Sequence, residues 1–150
     1  FRMFDLATKI KDNIYIHGRV DDVINIRGHR IGSGEIESVL LKIKEITECC
    51  VVSSSDELEG NVFYLFVVSK KKIDHQISKM IQNFFGSFAI PRKIYYVPEM
   101  PKTRSGKILR RILRIIIDKK IKNKKFGDLS TILNKNVVPT INNIVLNDEK

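Results

Sequence analysis

The sequence is short of cysteine: Cys49 and Cys50 are its only two, and they are adjacent. Neighbouring residues on a strand point to opposite faces, so a disulfide between them is not expected. Four-ligand zinc spacing is absent. The expected setting is a reducing compartment, the cytoplasm first and the nucleus as an alternative. Long apolar runs are missing too. No stretch approaches the ~20 residues of a membrane span, and no membrane partner is expected. Residues 1–16 are interrupted by Arg2, Asp5, Lys9, Lys11 and Asp12, which rules out a signal-peptide pattern. Acidic residues are scarce beside basic ones, 17 against 27, for a net charge of +10. Basic chains favour polyanions such as nucleic acid, phosphate-bearing cofactors or acidic membranes. Five lysines fall within residues 119–125. No Tyr or Phe is interleaved with them, so the stacking platform of a single-strand binder is missing. A solvated stretch is the plainer reading of that run. No internal repeat is present.

The chain has 150 residues and is 43% apolar, enough for one domain with a core and a short appendage. It starts at Phe1 and reads as a piece of a longer protein. Residues 14–18 and 22–27 read as two short strands around a turn. Ser33 is placed to cap a helix reaching about Lys44, with Ile36, Val39, Leu40 and Ile43 as its apolar stripe. Glu35 and Glu37 suit the positive end of that helix. Runs rich in β-formers follow at 49–53 and 62–68, the second apolar on both alternations and so buried on both faces. Asp74 is placed to cap a second helix carrying Ile77, Ile81, Phe84 and Phe85 on one face. Residues 94–97 read as a third strand. A last clear helix starts near Ile108, with Leu109, Ile112, Leu113 and Ile116 inward and Arg110, Arg111, Arg114 and Lys119 toward solvent or a partner. Beyond Asp118 the chain turns Lys/Asn-rich, apart from a weakly apolar 129–146. The expected class is α+β: a β-hairpin, then a three-stranded sheet packed by helices.

Three segments carry candidate chemistry. In Pro101-Lys102-Thr103-Arg104-Ser105-Gly106-Lys107 the Gly-Lys pair lacks the P-loop's earlier Gly and following Ser or Thr, since Pro101 and Ile108 stand there. The alternative is a flexible loop presenting one ammonium group to an anionic site. From spacing alone, a solvated loop lysine is the commoner explanation. Gly18-Arg19-Val20-Asp21-Asp22 suits a hinge, an anion site or a polar hairpin tip. Gly28-His29-Arg30-Ile31-Gly32-Ser33-Gly34 places three glycines before a helix, which permits close approach of a ligand to the backbone. Its spacing does not match the dinucleotide fingerprint. A lone His29 in such a loop is more often structural than a ligand.

These segments, in this order, resemble the C-terminal domain of the adenylate-forming enzymes: the acyl-CoA synthetases, firefly luciferase and peptide-synthetase adenylation domains. The matching stretches are Gly18 to Asn25, Gly28 to Glu37 and Pro101 to Arg111, and the resemblance covers about residues 1–117. Gly-His-Arg followed by Glu-Ile-Glu-Ser, with Lys-Thr-Arg-Ser-Gly-Lys-Ile-Leu-Arg-Arg-Ile-Leu-Arg, is most similar to the acetate-activating CoA ligases. Gly127 to Leu133 and Val137-Val138 resemble that branch's C-terminal extension.

The resemblance implies a mobile lid. Residues 1–18 would end a large preceding domain and approach the hinge, 19–118 would form the lid, and 119–150 a Lys/Asn-rich extension. It implies acetate, ATP and CoA as substrates, AMP as product, and Mg2+ accompanying ATP outside this segment; no metal ligands are expected within it. Lys107 would be catalytic in adenylation. Asp21 would be the hinge. Asp5, Arg19 and Arg30 would contact the nucleotide, and Arg27 and Gly28 would line the CoA path. The expected partners are the protein's own N-terminal domain and an acetyltransferase or deacetylase acting on Lys107; nucleic acid is not expected. Some positions depart from the family pattern. Arg27 stands where a small residue is usual. Gln82 and Asn83 stand near a CoA-contacting Arg of some relatives. Met3-Phe4 replaces Thr-Gly before Asp5.

Overall fold

The computed structural model describes residues 5–19, 22–56, 60–118 and 131–148. Strands β1 (Asp5–Ile10) and β2 (Asn13–Arg19) pair antiparallel, as do β3 (Val23–Ile26) and β4 (His29–Gly32). Helix α1 (Ser33–Leu40), β5 (Ile46–Asp56), β6 (Gly60–Ser69) and α2 (Asp74–Phe85) follow. A 3-10 turn at Ser87–Ala89 leads to β7 (Lys93–Tyr96), then α3 (Arg110–Asp118) and α4 (Val137–Asn147). The α+β expectation holds, but the expected pairing of 14–18 with 22–27 does not. Each of those strands closes on its own neighbour. Two-residue connections, Lys11-Asp12 and Arg27-Gly28, make that local closure possible.

The three-stranded sheet has order β5-β6-β7, with β6 antiparallel to β5 and parallel to β7. Strand β6 is central, and residues 62–67 are all buried. An unbroken apolar run is what a strand covered on both faces requires. Its side chains divide by alternation. Val62, Tyr64 and Phe66 join Cys50, Val52 and Tyr95 in a core with Ile112, Leu113 and Ile116 of α3 and Ile141 and Val145 of α4. Phe63, Leu65 and Val67 join Cys49 and Val51 in a second core with Ile36 and Leu40 of α1, Ile77 and Ile81 of α2, and Ile24, Ile26 and Ile31 of the β3–β4 hairpin. The sheet is therefore a middle layer. The two cysteines serve opposite cores as free thiols.

The helix starts differ from expectation. Gly32, not Ser33, occupies the cap position of α1, because the β3–β4 ladder runs to the Val23–Gly32 pair. Ser33 becomes the first helical residue, and its buried hydroxyl has no hydrogen-bond partner among the described residues. The helix ends at Leu40, and Ile43 is buried from the following turn. Asp74 likewise starts α2 rather than capping it. Tyr96 supplies the cap from β7: its hydroxyl accepts the Ile73 N–H at 2.7 Å and donates to Asp74 Oδ1 at 2.7 Å. Phe84, expected inside, is 56% exposed, with the Lys42 ammonium 5.2 Å from its ring centre. A cation over the ring face is a polar covering that helical periodicity does not reveal.

Candidate functional site

Lys107 stands at the end of a tight turn. Lys102 and Ile108 form an antiparallel bridge. Inside it Thr103 N–H donates to the Lys107 carbonyl at 2.9 Å, and Gly106 N–H to the Thr103 carbonyl at 2.9 Å. Gly106 closes the loop at φ +82°, a conformation that glycine adopts without steric cost. The Thr103 hydroxyl accepts the Lys107 N–H at 3.1 Å and lies 2.9 Å from the Ser105 hydroxyl. The Lys107 side chain is exposed, and its ammonium has no partner among the described residues. An ammonium left this way keeps its charge available to an incoming anion.

The second group sits on the β3–β4 hairpin. Arg27 at φ +49° and Gly28 at φ +86° form its two-residue turn. Positive φ at both central positions defines a type I′ turn, the connection that matches strand twist. Arg27, Gly28, His29 and Arg30 are all exposed. Among the described residues, a Cβ added to Gly28 would meet nothing within 4 Å beyond its two chain neighbours. His29 stacks on Phe88 at 4.0 Å between ring centres, a structural contact. A pocket of about 50 Å3 lies beside the turn, lined in part by Ile26, Arg27, Phe63, Phe88 and Arg92. Asp5 and Arg19 are cross-strand partners at the open end of the β1–β2 pair. Asp21 lies outside the described residues, as do residues 119–125. Gln82 and Asn83 are exposed near the end of α2.

The structure does not bring Lys107 and Gly28 together. Ile108 and Leu109, which follow the lysine, pack on the core shared with α3 and α4. Ile26 and Ile31, which flank the glycine turn, pack on the opposite core. The two candidate groups belong to opposite sides of one sheet.

One polar cluster was not foreseen from the sequence. Arg110 was expected to face solvent or a partner; it turns inward instead. Its Nη2 donates to Glu37 Oε1 at 2.7 Å, its Nη1 to Asp22 Oδ1 at 3.1 Å and its Nε to the Val51 carbonyl at 3.1 Å. Glu37 Oε1 also accepts the Val51 N–H at 2.8 Å. Burial works against the guanidinium charge. Cys50 as thiolate, the Glu37 carboxylate with its hydrogen bond and the Asp22 carboxylate all favour that charge and together outweigh the burial, so Arg110 holds its proton more tightly than an ordinary arginine. The fork geometry suits this three-way contact, which a lysine could not reproduce. The paired spacing of Glu37 and Arg110 along the chain carried no signal of the contact.

Among the described residues no group of three or more His, Cys, Asp and Glu side chains could hold a metal ion. No helix among them is long and apolar enough to cross a membrane.

Residues 35–107 match the family model of the AMP-binding enzyme C-terminal domain. Residues 35–107 thus form a domain of the AMP-binding enzyme C-terminal family. Its relatives in sequence include acetyl-CoA synthetases. The acetyl-coenzyme A synthetase of Coprinopsis cinerea is 40% identical over 148 residues, 91% of this chain and 22% of that protein. The chloroplastic/glyoxysomal acetyl-coenzyme A synthetase of Arabidopsis thaliana is 40% identical over 141 residues, 89% of this chain and 19% of that protein. The chain thus spans about a fifth of the length of these curated relatives. Among solved structures, the amide bond synthetase McbA of Marinactinospora thermotolerans superposes with a TM-score of 0.67 at 21% identity, covering 76% of this chain and 24% of that one. At that identity the likeness concerns the fold.

Proposed function

We propose that this chain is the mobile C-terminal lid of an AMP-forming acetate–CoA ligase. In the first step an acetate oxygen attacks the α-phosphorus of ATP. The bond to the bridging oxygen breaks, and pyrophosphate leaves. In the second step the sulfur of CoA attacks the acetyl carbonyl, the bond to the phosphate oxygen breaks, and AMP leaves. The large N-terminal domain would hold the acetate pocket, most of the nucleotide and the Mg2+ that accompanies ATP. The lid would offer a different face to each step, turning on the backbone at Asp21.

The observation that carries this reading is the exposed Lys107 ammonium, without a partner among the described residues, on a tight turn set apart from the glycine hairpin by the sheet's two cores. In adenylation Lys107 would reach the carboxylate and α-phosphate oxygens and stabilise the charge that gathers there. Asp5 and Arg19 would meet ribose and phosphate oxygens. For thioester formation the other side would face the site. Gly28 would admit the pantetheine arm without a β-carbon in its way, Arg27 would meet CoA phosphates, and Arg30 the phosphate of AMP. The free, buried Cys49 and Cys50 support a reducing compartment, the cytoplasm in first place.

The test uses the full-length parent enzyme. Lys107→Ala should lower acetate-dependent ATP–pyrophosphate exchange by roughly 10²–10³-fold. Thioester formation from supplied acetyl-adenylate should stay near wild type. Exchange at the wild-type rate would show that Lys107 is not the adenylation cation.

A further inference from the structure

The chain beyond α3 returns to the lysine turn. Ile132 forms an antiparallel bridge with Thr103, and Leu133 N–H donates to the Lys102 carbonyl at 2.8 Å. The Asn134 side chain bonds in both directions. Its Oδ1 accepts the Lys102 N–H at 3.1 Å, and its Nδ2 donates to the Met100 carbonyl at 2.9 Å. Lys102 and Thr103 therefore lie between two flanking segments. Lys107 and Ile108 pair on one side, and the tail pairs on the other. A side-chain amide is suited to this position because it offers a neutral donor and an acceptor together.

The brace is itself anchored. Ile132 is buried in the core shared with α3, and α4 follows with Val137, Val138, Ile141 and Val145 in the same core. Lys102 Nζ adds an ion pair to Glu48 of β5 at 2.7 Å. Without these contacts the turn would be an exposed loop carrying a glycine, the kind of segment that moves by default. A cation that must meet a transition state needs supports that fix its backbone to within a fraction of an ångström.

We propose that residues 132–134, Asn134 foremost, are a positioning element for Lys107 in adenylation. The inference rests on the Lys107 role given under Proposed function. Asn134 touches no substrate; it acts through the Lys102–Thr103 backbone, which holds Lys107 from the other side. Because the second step uses the opposite side of the lid, the brace matters to the first step alone.

The experiment uses the full-length parent enzyme with Asn134→Ala and Asn134→Asp. Asn134→Ala removes both bonds and should lower acetate-dependent ATP–pyrophosphate exchange by about 10- to 100-fold, the range expected when a reacting group is misplaced by about an ångström. Thioester formation from supplied acetyl-adenylate should stay within about twofold. Amide hydrogen exchange at Lys102 and Leu133 should speed up. Asn134→Asp keeps the acceptor for Lys102 and should lose less exchange activity than Asn134→Ala. Equal loss of both half-reactions, or exchange activity unchanged in both variants, overturns the proposal. The two readings fail separately. Normal exchange in Lys107→Ala removes the role on which the brace depends. Lost exchange in Lys107→Ala with normal exchange in Asn134→Ala sinks the brace alone.

Discussion

Lys107 and Gly28 do opposite things with their exposure. The lysine keeps a charge without a partner among the described residues, and the glycine keeps an open space around its α-carbon. Acetylation of Lys107 would remove the charge and leave the stem. Stoichiometrically acetylated parent enzyme should therefore lose acetate-dependent exchange; full activity in that state would contradict the account. At Gly28 two effects need separating. Any Cβ at φ +86° is strained, by about 1–2 kcal/mol. Among the described residues no atom beyond its two chain neighbours lies within 4 Å to clash with it. Gly28→Ala and Gly28→Leu share the backbone strain, so extra loss of thioester formation in Gly28→Leu reports an obstructed ligand path. Equal behaviour of the two variants would leave only the strain. Neither residue was legible from spacing alone, because a loop lysine and a turn glycine are common surface features. The three motifs in register singled them out. The turn that holds Arg27 and Gly28 was hidden, since Arg is not a residue that announces positive φ.

At the scale of elements, Arg110 joins α3 to α1, β5 and the chain at Asp22. Removing its charge would leave the Glu37 carboxylate, partly buried, with the Val51 N–H as its remaining bond among the described residues. Arg110→Met should cost about 2–3 kcal/mol in denaturant unfolding, as expected for lost hydrogen bonds to charged groups. A change within about 0.5 kcal/mol, the range of ordinary surface substitutions, would show that the cluster does not stabilise the fold. Helical periodicity placed Arg110 on the polar face of α3. That is correct as far as it goes, but periodicity says nothing of what packs opposite. The central strand was easier to read. Alternating both ways between apolar residues, 62–67 could only be covered on both sides, and the structure divides those side chains between two cores. Phe66→Ala, at a fully buried site, should cost about 3–5 kcal/mol. The helix caps were misread because Gly32 is drawn into a strand pair and Tyr96 reaches α2 from a distant element. Both are tertiary effects.

The three-stranded sheet has a core on each side, and the alkaline stability of the described residues reflects what packs there. Burial pushes the Cys49 and Cys50 thiols up from near 9 to about 12. Burial and the hydrogen bond to Asp74 push Tyr96 up from near 10 to about 12. Each group holds its proton more tightly folded than unfolded. The associated stability is complete below about pH 9 and is lost as pH rises toward about 12. The midpoint of thermal unfolding should fall across that window, and a flat profile would contradict these burials. The tail was the least legible part. Residues 129–146 read as weakly apolar extension, yet α4 and Ile132 complete the core beneath the lysine turn. Asn134, Lys135 and Asn136, then Pro139, then Asn142 and Asn143 interrupt its apolar residues, so only packing reveals them as part of a core. The central claim is that the two sides of this sheet serve two different steps. It is tested most directly by measuring both half-reactions in Lys107→Ala and Gly28→Leu versions of the full-length parent enzyme. The account predicts a crossed result: Lys107→Ala loses acetate-dependent ATP–pyrophosphate exchange and keeps thioester formation, whereas Gly28→Leu keeps exchange and loses thioester formation. Parallel loss of both steps in both variants would contradict it.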